Sequence, residues 1–90
     1  MPESSLVGQT ALVTGGAKGY GAGIAEALRT RGARVWITGR DEAALRKTAA
    51  ALDVAWIRAD VTAPADWDRA LETVVGAGGR LDILVNNAGG

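Results

Sequence analysis

Four short apolar runs alternate with longer stretches whose apolar residues recur at helical spacing, and this alternation narrows the possible folds more than any other feature of the chain. The runs Thr10-Thr14, Arg34-Thr38, Val54-Arg58 and Asp82-Asn86 are too short for helices and rich in Val, Ile or Leu. Without strict alternation, they predict strands buried on both faces. Between them, Ile24, Ala25 and Leu28 mark one helix face, Leu45, Ala49 and Leu52 a second, and Trp67, Leu71, Val74 and Val75 a third. Four strands and three helices in strict alternation predict an α/β fold of the Rossmann type. Right-handed crossovers place the parallel strands in the order 3-2-1-4. Gly32 and Gly76 are expected to end helices, Asp41 and Thr62 to cap the second and third, and Pro64 to occupy a first helical turn. Trp36, Trp56 and Trp67 are expected to pack in the core or between helix and sheet.

Composition removes many functions. The chain of 90 residues has neither Cys nor His, which rules out disulfides, thiolate metal sites, imidazole bases and Ser-His or Cys-His nucleophiles within it. Ten basic and ten acidic side chains cancel, and no block of like charge is present, so neither nucleic acid nor an anionic membrane is an expected partner. The start, Met1-Pro2-Glu3-Ser4-Ser5, has no basic region followed by an apolar stretch, and no apolar run is long enough for a bilayer; the cytoplasm is the expected location.

The chemistry centres on Gly15, Gly19 and Gly21, which follow the first predicted strand and open the first predicted helix. At such a junction glycines permit a sharp turn and a close approach of backbone N–H groups to a pyrophosphate, while the helix N-terminus adds partial positive charge. Alone, such a cluster also reads as an ordinary tight turn. It is not alone. The segment Thr14-Gly15-Gly16-Ala17-Lys18-Gly19-Tyr20-Gly21 resembles the Thr-Gly-x-x-x-Gly-x-Gly motif of the short-chain dehydrogenase/reductase family, with Tyr20 where the family usually carries an aliphatic residue. Asp60-Val61 after the third run is similar to the family's adenine-contacting pair, and Asn86-Asn87-Ala88-Gly89 after the fourth to its Asn-Asn-Ala-Gly signature. The resemblance implies that Gly15, Lys18, Gly19, Tyr20 and Gly21 cradle a dinucleotide. It further implies that Asp60 accepts from the adenine amino group beside Val61, and that Asn86, Ala88 and Gly89 line the adenosine-ribose side. Taken singly, Asp60 reads equally as a turn or capping residue and the paired Asn as partners for the backbone at a strand end.

At the end of the second strand a carboxylate would select a free ribose 2′-hydroxyl and repel a 2′-phosphate. That position is Gly39, followed by Arg40, and Arg40 with Lys18 resembles the basic pair of NADP(H)-preferring family members. The cofactor expected is therefore NADP(H) in preference to NAD(H). Asp41, twenty residues beyond Gly21, is the competing ribose carboxylate, but it stands two places past the strand end and suits a helix cap better.

In the family, hydride transfer depends on a Ser that orients the carbonyl, a Tyr that exchanges its proton, and a Lys four residues after that Tyr. Here the only serines are Ser4 and Ser5 and the only tyrosine is Tyr20, followed four places on by Ile24, so no catalytic residue and no metal ligand is assigned. A small-molecule substrate is expected only in a longer parent enzyme. The chain ends at Asn87-Ala88-Gly89-Gly90, within a loop, as expected of a single truncated dinucleotide-binding domain, and the edge with Ile83, Leu84 and Val85 is expected to invite self-association. Two other readings stay open: a non-catalytic dinucleotide-binding or interaction module, and a methyltransferase-like Rossmann protein. Gly39 and Arg40 argue against the second, which usually needs an acidic residue there.

Overall fold

A computed structural model describes residues 5–87. Along the chain run β1 (Thr10–Thr14), α1 (Gly19–Thr30), β2 (Arg34–Gly39), α2 (Glu42–Leu52), β3 (Ala55–Arg58), α3 (Pro64–Gly78) and β4 (Ile83–Asn86). All strand pairs are parallel and the sheet order is β3-β2-β1-β4, as the alternation predicts. The C-terminal ends of the strands come into line because Thr14 pairs with both Thr38 and Asn86. In such sheets ligands bind outside the carboxyl ends where the strand order reverses, here between β1 and β4.

β1 is the centre of the molecule, with all five residues buried. Its side chains alternate between two faces. Ala11 and Val13 join Val35 and Ile37 of β2, Ala25 of α1, and Leu45 and Ala49 of α2 in one apolar cluster, against which Ile83, Val85 and Trp56 also pack. Leu12 lies on the opposite face and is fully buried, as are Ala70 and Val74 of α3. The two helix faces read from sequence at Ala25 and at Leu45 and Ala49 are thus the ones that cover the sheet. Trp56 also carries the Arg46 guanidinium over its ring, 5.8 Å from the centroid, at the β3 edge.

Helix boundaries follow local chemistry, with two corrections to the sequence reading. Asp41 caps α2, its Oδ1 accepting from Ala44 N at 3.1 Å, and Pro64 stands in the first turn of α3. Thr62 does not cap α3. The N-cap is Ala63, and the Thr62 hydroxyl goes to Asp60 instead. Gly76 does not end α3 either. The helix runs to Gly78, and Gly79 takes the left-handed conformation (φ 79°), its N–H reaching Val75 O at 2.6 Å. At the strand starts, Val54 gives its N–H to Ala49 O at the end of α2, so β3 begins one residue later than read.

β4 is tied to β1 at its start by Asp82, whose Oδ2 accepts from Thr10 N at 2.8 Å while Arg80 Nε donates to Oδ1 at 2.7 Å. The Thr10 N–H and then the Arg80 side chain hold the Asp82 carboxyl below its ordinary value of 3.8. A carboxyl that is more acidic folded than unfolded stabilises the fold fully above the unfolded value, and that contribution disappears as pH falls through the folded one. Denaturant unfolding followed from pH 7 downward should show Asp82→Asn less stable than wild type at neutral pH, with the gap closing below about pH 4. Parallel stability curves for the two proteins would contradict the assignment.

Candidate functional site

The glycine turn between β1 and α1 is pinned from three sides. Thr38 O accepts from Gly15 N at 2.8 Å and from Gly16 N at 3.2 Å, which fastens the turn to β2. Thr48 of α2 donates its hydroxyl to Ala17 O at 2.7 Å. Asn87, just past β4, donates its side-chain amide to Gly15 O at 3.3 Å, and its own N–H goes to Thr14 Oγ1 at 2.9 Å. Sequence reasoning did not find Thr38 or Thr48. A carbonyl acceptor and a helix-face threonine carry no local signal of a partner some 23 to 31 positions away.

Geometry favours glycine at several positions in this turn, as Gly15 and Gly21 show. Gly15 has φ 65°, a left-handed conformation that penalises other residues. Gly21 sits where a Cβ would collide with Gly15 O and lie 2.7 Å from the Asn87 amide nitrogen. The helix therefore starts against the turn with no room for a side chain. Its N-terminus is electrostatically open: Lys18 is the N-cap with no side-chain cap bond, and the first turn has no acidic residue. By contrast α2 has Asp41 and Glu42, and α3 has Asp66. The free N–H groups of a first helical turn, uncompensated by side chains, favour an anion.

Beside this turn lies an open cleft of about 520 Å³ lined by residues that include Gly15, Lys18, Arg40, Asp60, Val61 and Thr62. The structure thus brings together five of the residues singled out from sequence, contributed by three successive strand ends. The side chains of Lys18 and Arg40 are exposed and make no hydrogen bond or salt bridge among the described residues. Asp41 also borders the cleft, but one of its oxygens caps α2. Tyr20 projects from the first turn of α1 and is 87% exposed. Asn86 faces a separate groove of about 360 Å³ with Val61, Thr62, Trp67 and Leu84, and its Oδ1 accepts from Thr14 Oγ1 at 3.2 Å. Ala88 and Gly89 lie outside the described residues.

Asp60 is the most elaborately held residue of the cleft. Its Oδ1 accepts the Thr62 hydroxyl at 2.6 Å and the Thr62 N–H at 2.9 Å, and its own N–H donates to Asp66 Oδ2 at 3.0 Å. The two Thr62 bonds, hydroxyl first, hold the carboxyl below its ordinary value. Burial opposes them to a lesser degree, and Arg40 and then Arg58 add still smaller effects in the lowering direction. Asp60 is therefore an ionised acceptor at neutral pH. Among the described residues no group of three or more acidic side chains is placed to hold a metal ion, and no helix is long and apolar enough to cross a membrane.

Comparison with known proteins agrees with this fold. Residues 9–90 match the short chain dehydrogenase family. The rhamnolipids biosynthesis 3-oxoacyl-[acyl-carrier-protein] reductase of Pseudomonas aeruginosa is 46% identical, the alignment covering 98% of this chain and 36% of the relative. A 3-alpha-(or 20-beta)-hydroxysteroid dehydrogenase of Mycobacterium bovis is 45% identical over 93% of this chain and 33% of its own length. Among solved structures, the Pseudomonas aeruginosa RhlG/NADP active-site complex superposes with a TM-score of 0.93 at 44% identity, covering 100% of this chain and 37% of that one. The 3-ketoacyl-(acyl-carrier-protein) reductase of Brucella melitensis complexed with NADH gives 0.90 at 40% identity, covering 94% and 36%. The chain thus spans about a third of the length of these relatives.

Gly21→Ala tests the turn directly. The added methyl group meets a backbone oxygen that cannot move without breaking the bonds to Thr38 and Asn87. The expected cost is about 1–3 kcal/mol in denaturant unfolding, and unchanged stability would show that the turn yields.

Proposed function

The chain belongs to the short chain dehydrogenase family, and from that premise we propose that it is the dinucleotide-binding part of an oxidoreductase that uses NADP(H) in preference to NAD(H). The observation that carries the reading is the cleft itself, in which Lys18 and Arg40, neither engaged by another described side chain, stand on the same side of the glycine turn as Asp60 and Val61. The open N-terminus of α1 suits a pyrophosphate. Lys18 and Arg40 suit a 2′-phosphate, the guanidinium by a bidentate fork and the ammonium as a point charge. Gly39 places no carboxylate at the end of β2, and the capping bond of Asp41 draws that side chain toward α2. Asp60 is suited to accept from the adenine amino group, and Gly19, Tyr20 and Gly21 to border the pyrophosphate.

When bound, the nicotinamide would supply or accept the hydride in a carbonyl–alcohol interconversion. The residues of this chain bind and orient the dinucleotide, and they exclude charge of the wrong sign from its phosphate end. The groups that would move the substrate proton in the family, a Ser and a Tyr-x-x-x-Lys, have no counterpart within the 90 residues, and Tyr20 lies in the phosphate turn. A carbonyl or alcohol substrate therefore belongs to a longer parent enzyme in this reading.

Titrating the chain with NADPH and NADH, with tryptophan emission as the signal, tests the proposal. NADPH should bind at least about tenfold more tightly, and Arg40→Ala should remove about 1.4 kcal/mol of that preference. Equal affinities for the two nucleotides, unaffected by Arg40→Ala, would overturn the cofactor choice. Failure to bind either would overturn the binding role.

A further inference from the structure

Residue 60 is restrained twice, by independent groups. Its main chain is held by the first turn of α3, through the Asp60 N–H to Asp66 Oδ2 at 3.0 Å. Asp66 in turn lies 3.5 Å from Arg69 Nη2, which donates to Arg58 O at 3.0 Å. Its side chain is held by Thr62 alone, with both Thr62 donors converging on Oδ1. Oδ2 has no donor among the described residues. Thr62 contributes no cap to α3, yet it lines the cleft and the neighbouring groove.

An ionised carboxylate offers two oxygens as acceptors and can donate to nothing. Left alone on an exposed turn, it would rotate and divide its lone pairs between water and any ligand. With two donors fixed on one oxygen, the other is presented in a single orientation. We propose that Thr62 is a positioning residue that sets Asp60 Oδ2 as the acceptor for an adenine amino group, and so makes the cleft discriminate against a purine with a carbonyl at that position. The inference rests on the reading of the cleft as a dinucleotide site. The discrimination follows from pairing: an amino group completes a charge-assisted hydrogen bond with the carboxylate, whereas a carbonyl sets acceptor against acceptor and leaves both unpaired.

The test uses the 90-residue chain with NADPH and with reduced nicotinamide hypoxanthine dinucleotide phosphate, which carries the carbonyl, both measured by titration calorimetry. Wild type should favour NADPH by about tenfold or more. Thr62→Val should reduce that ratio to below about threefold, Thr62→Ser should retain it, and Asp60→Asn, whose amide can donate to the carbonyl, should abolish or invert it. Thr62→Ala removes the hydroxyl without adding bulk and serves in place of Thr62→Val if the latter lowers the unfolding temperature. A valine or alanine variant that keeps the wild-type ratio overturns the role of Thr62, whether or not its affinity for both nucleotides falls, and leaves the role of Asp60 standing if Asp60→Asn has lost the ratio. Equal binding of the two nucleotides by wild type overturns the adenine contact and this inference together. No binding of either overturns the proposed function as well.

Discussion

The Thr38 carbonyl, accepting from both Gly15 N and Gly16 N, is the interaction on which the rest of the structure turns. It stops β1 from continuing as a strand and bends the chain over the end of β2, so α1 begins directly above the strand ends. With Gly15 held there, its own carbonyl faces the start of α1, and only a residue without a Cβ fits at position 21. Thr48 and Asn87 close the remaining sides from α2 and from the end of β4. A turn secured by the second helix and by both neighbours of β1 in the sheet is a rigid platform, and rigidity of this kind reduces the ordering cost of binding.

The charge balance of the cleft could not be anticipated from a neutral composition. Acidic and basic side chains are equal in number over the whole chain, and both kinds border the cleft. What separates them is hydrogen bonding. Asp41 Oδ1 is taken by the N-terminus of α2 and Asp60 Oδ1 by Thr62, whereas the side chains of Lys18 and Arg40 make no hydrogen bond among the described residues. The uncommitted charge is positive, and it lies beside a helix N-terminus that no acidic side chain compensates.

Much of this was legible beforehand, and the two misread helix boundaries have separate causes. The strands read at Thr10–Thr14 and Arg34–Thr38, the cap at Asp41 and the proline at the start of α3 each have a signal within a few residues, because propensity and capping are local. Thr62 carries an equally good local signal for a cap, but α3 starts one residue later, with Ala63 at the N-cap, and the Thr62 hydroxyl donates to the carboxylate of Asp60. Gly76 is one of three glycines close to the end of α3. Its missing side chain borders open space, so continuing the helix meets no obstruction, and the left-handed turn is made at Gly79.

The class of fold, the order of its strands, and the placing of a glycine turn where a strand meets a helix can be read along the chain. These follow from periodicity, handedness and backbone sterics, which act over short stretches of chain. The groups that hold that turn are set by the tertiary fold alone. Thr38 and Thr48 lie 23 and 31 residues from their partners Gly15 and Ala17, and Asn87 lies 72 from Gly15. Hydrogen bonds over such separations form only when parallel pairing has brought the strand ends together, because a donor and an acceptor far apart in the chain carry no information about each other until the sheet sets their distance.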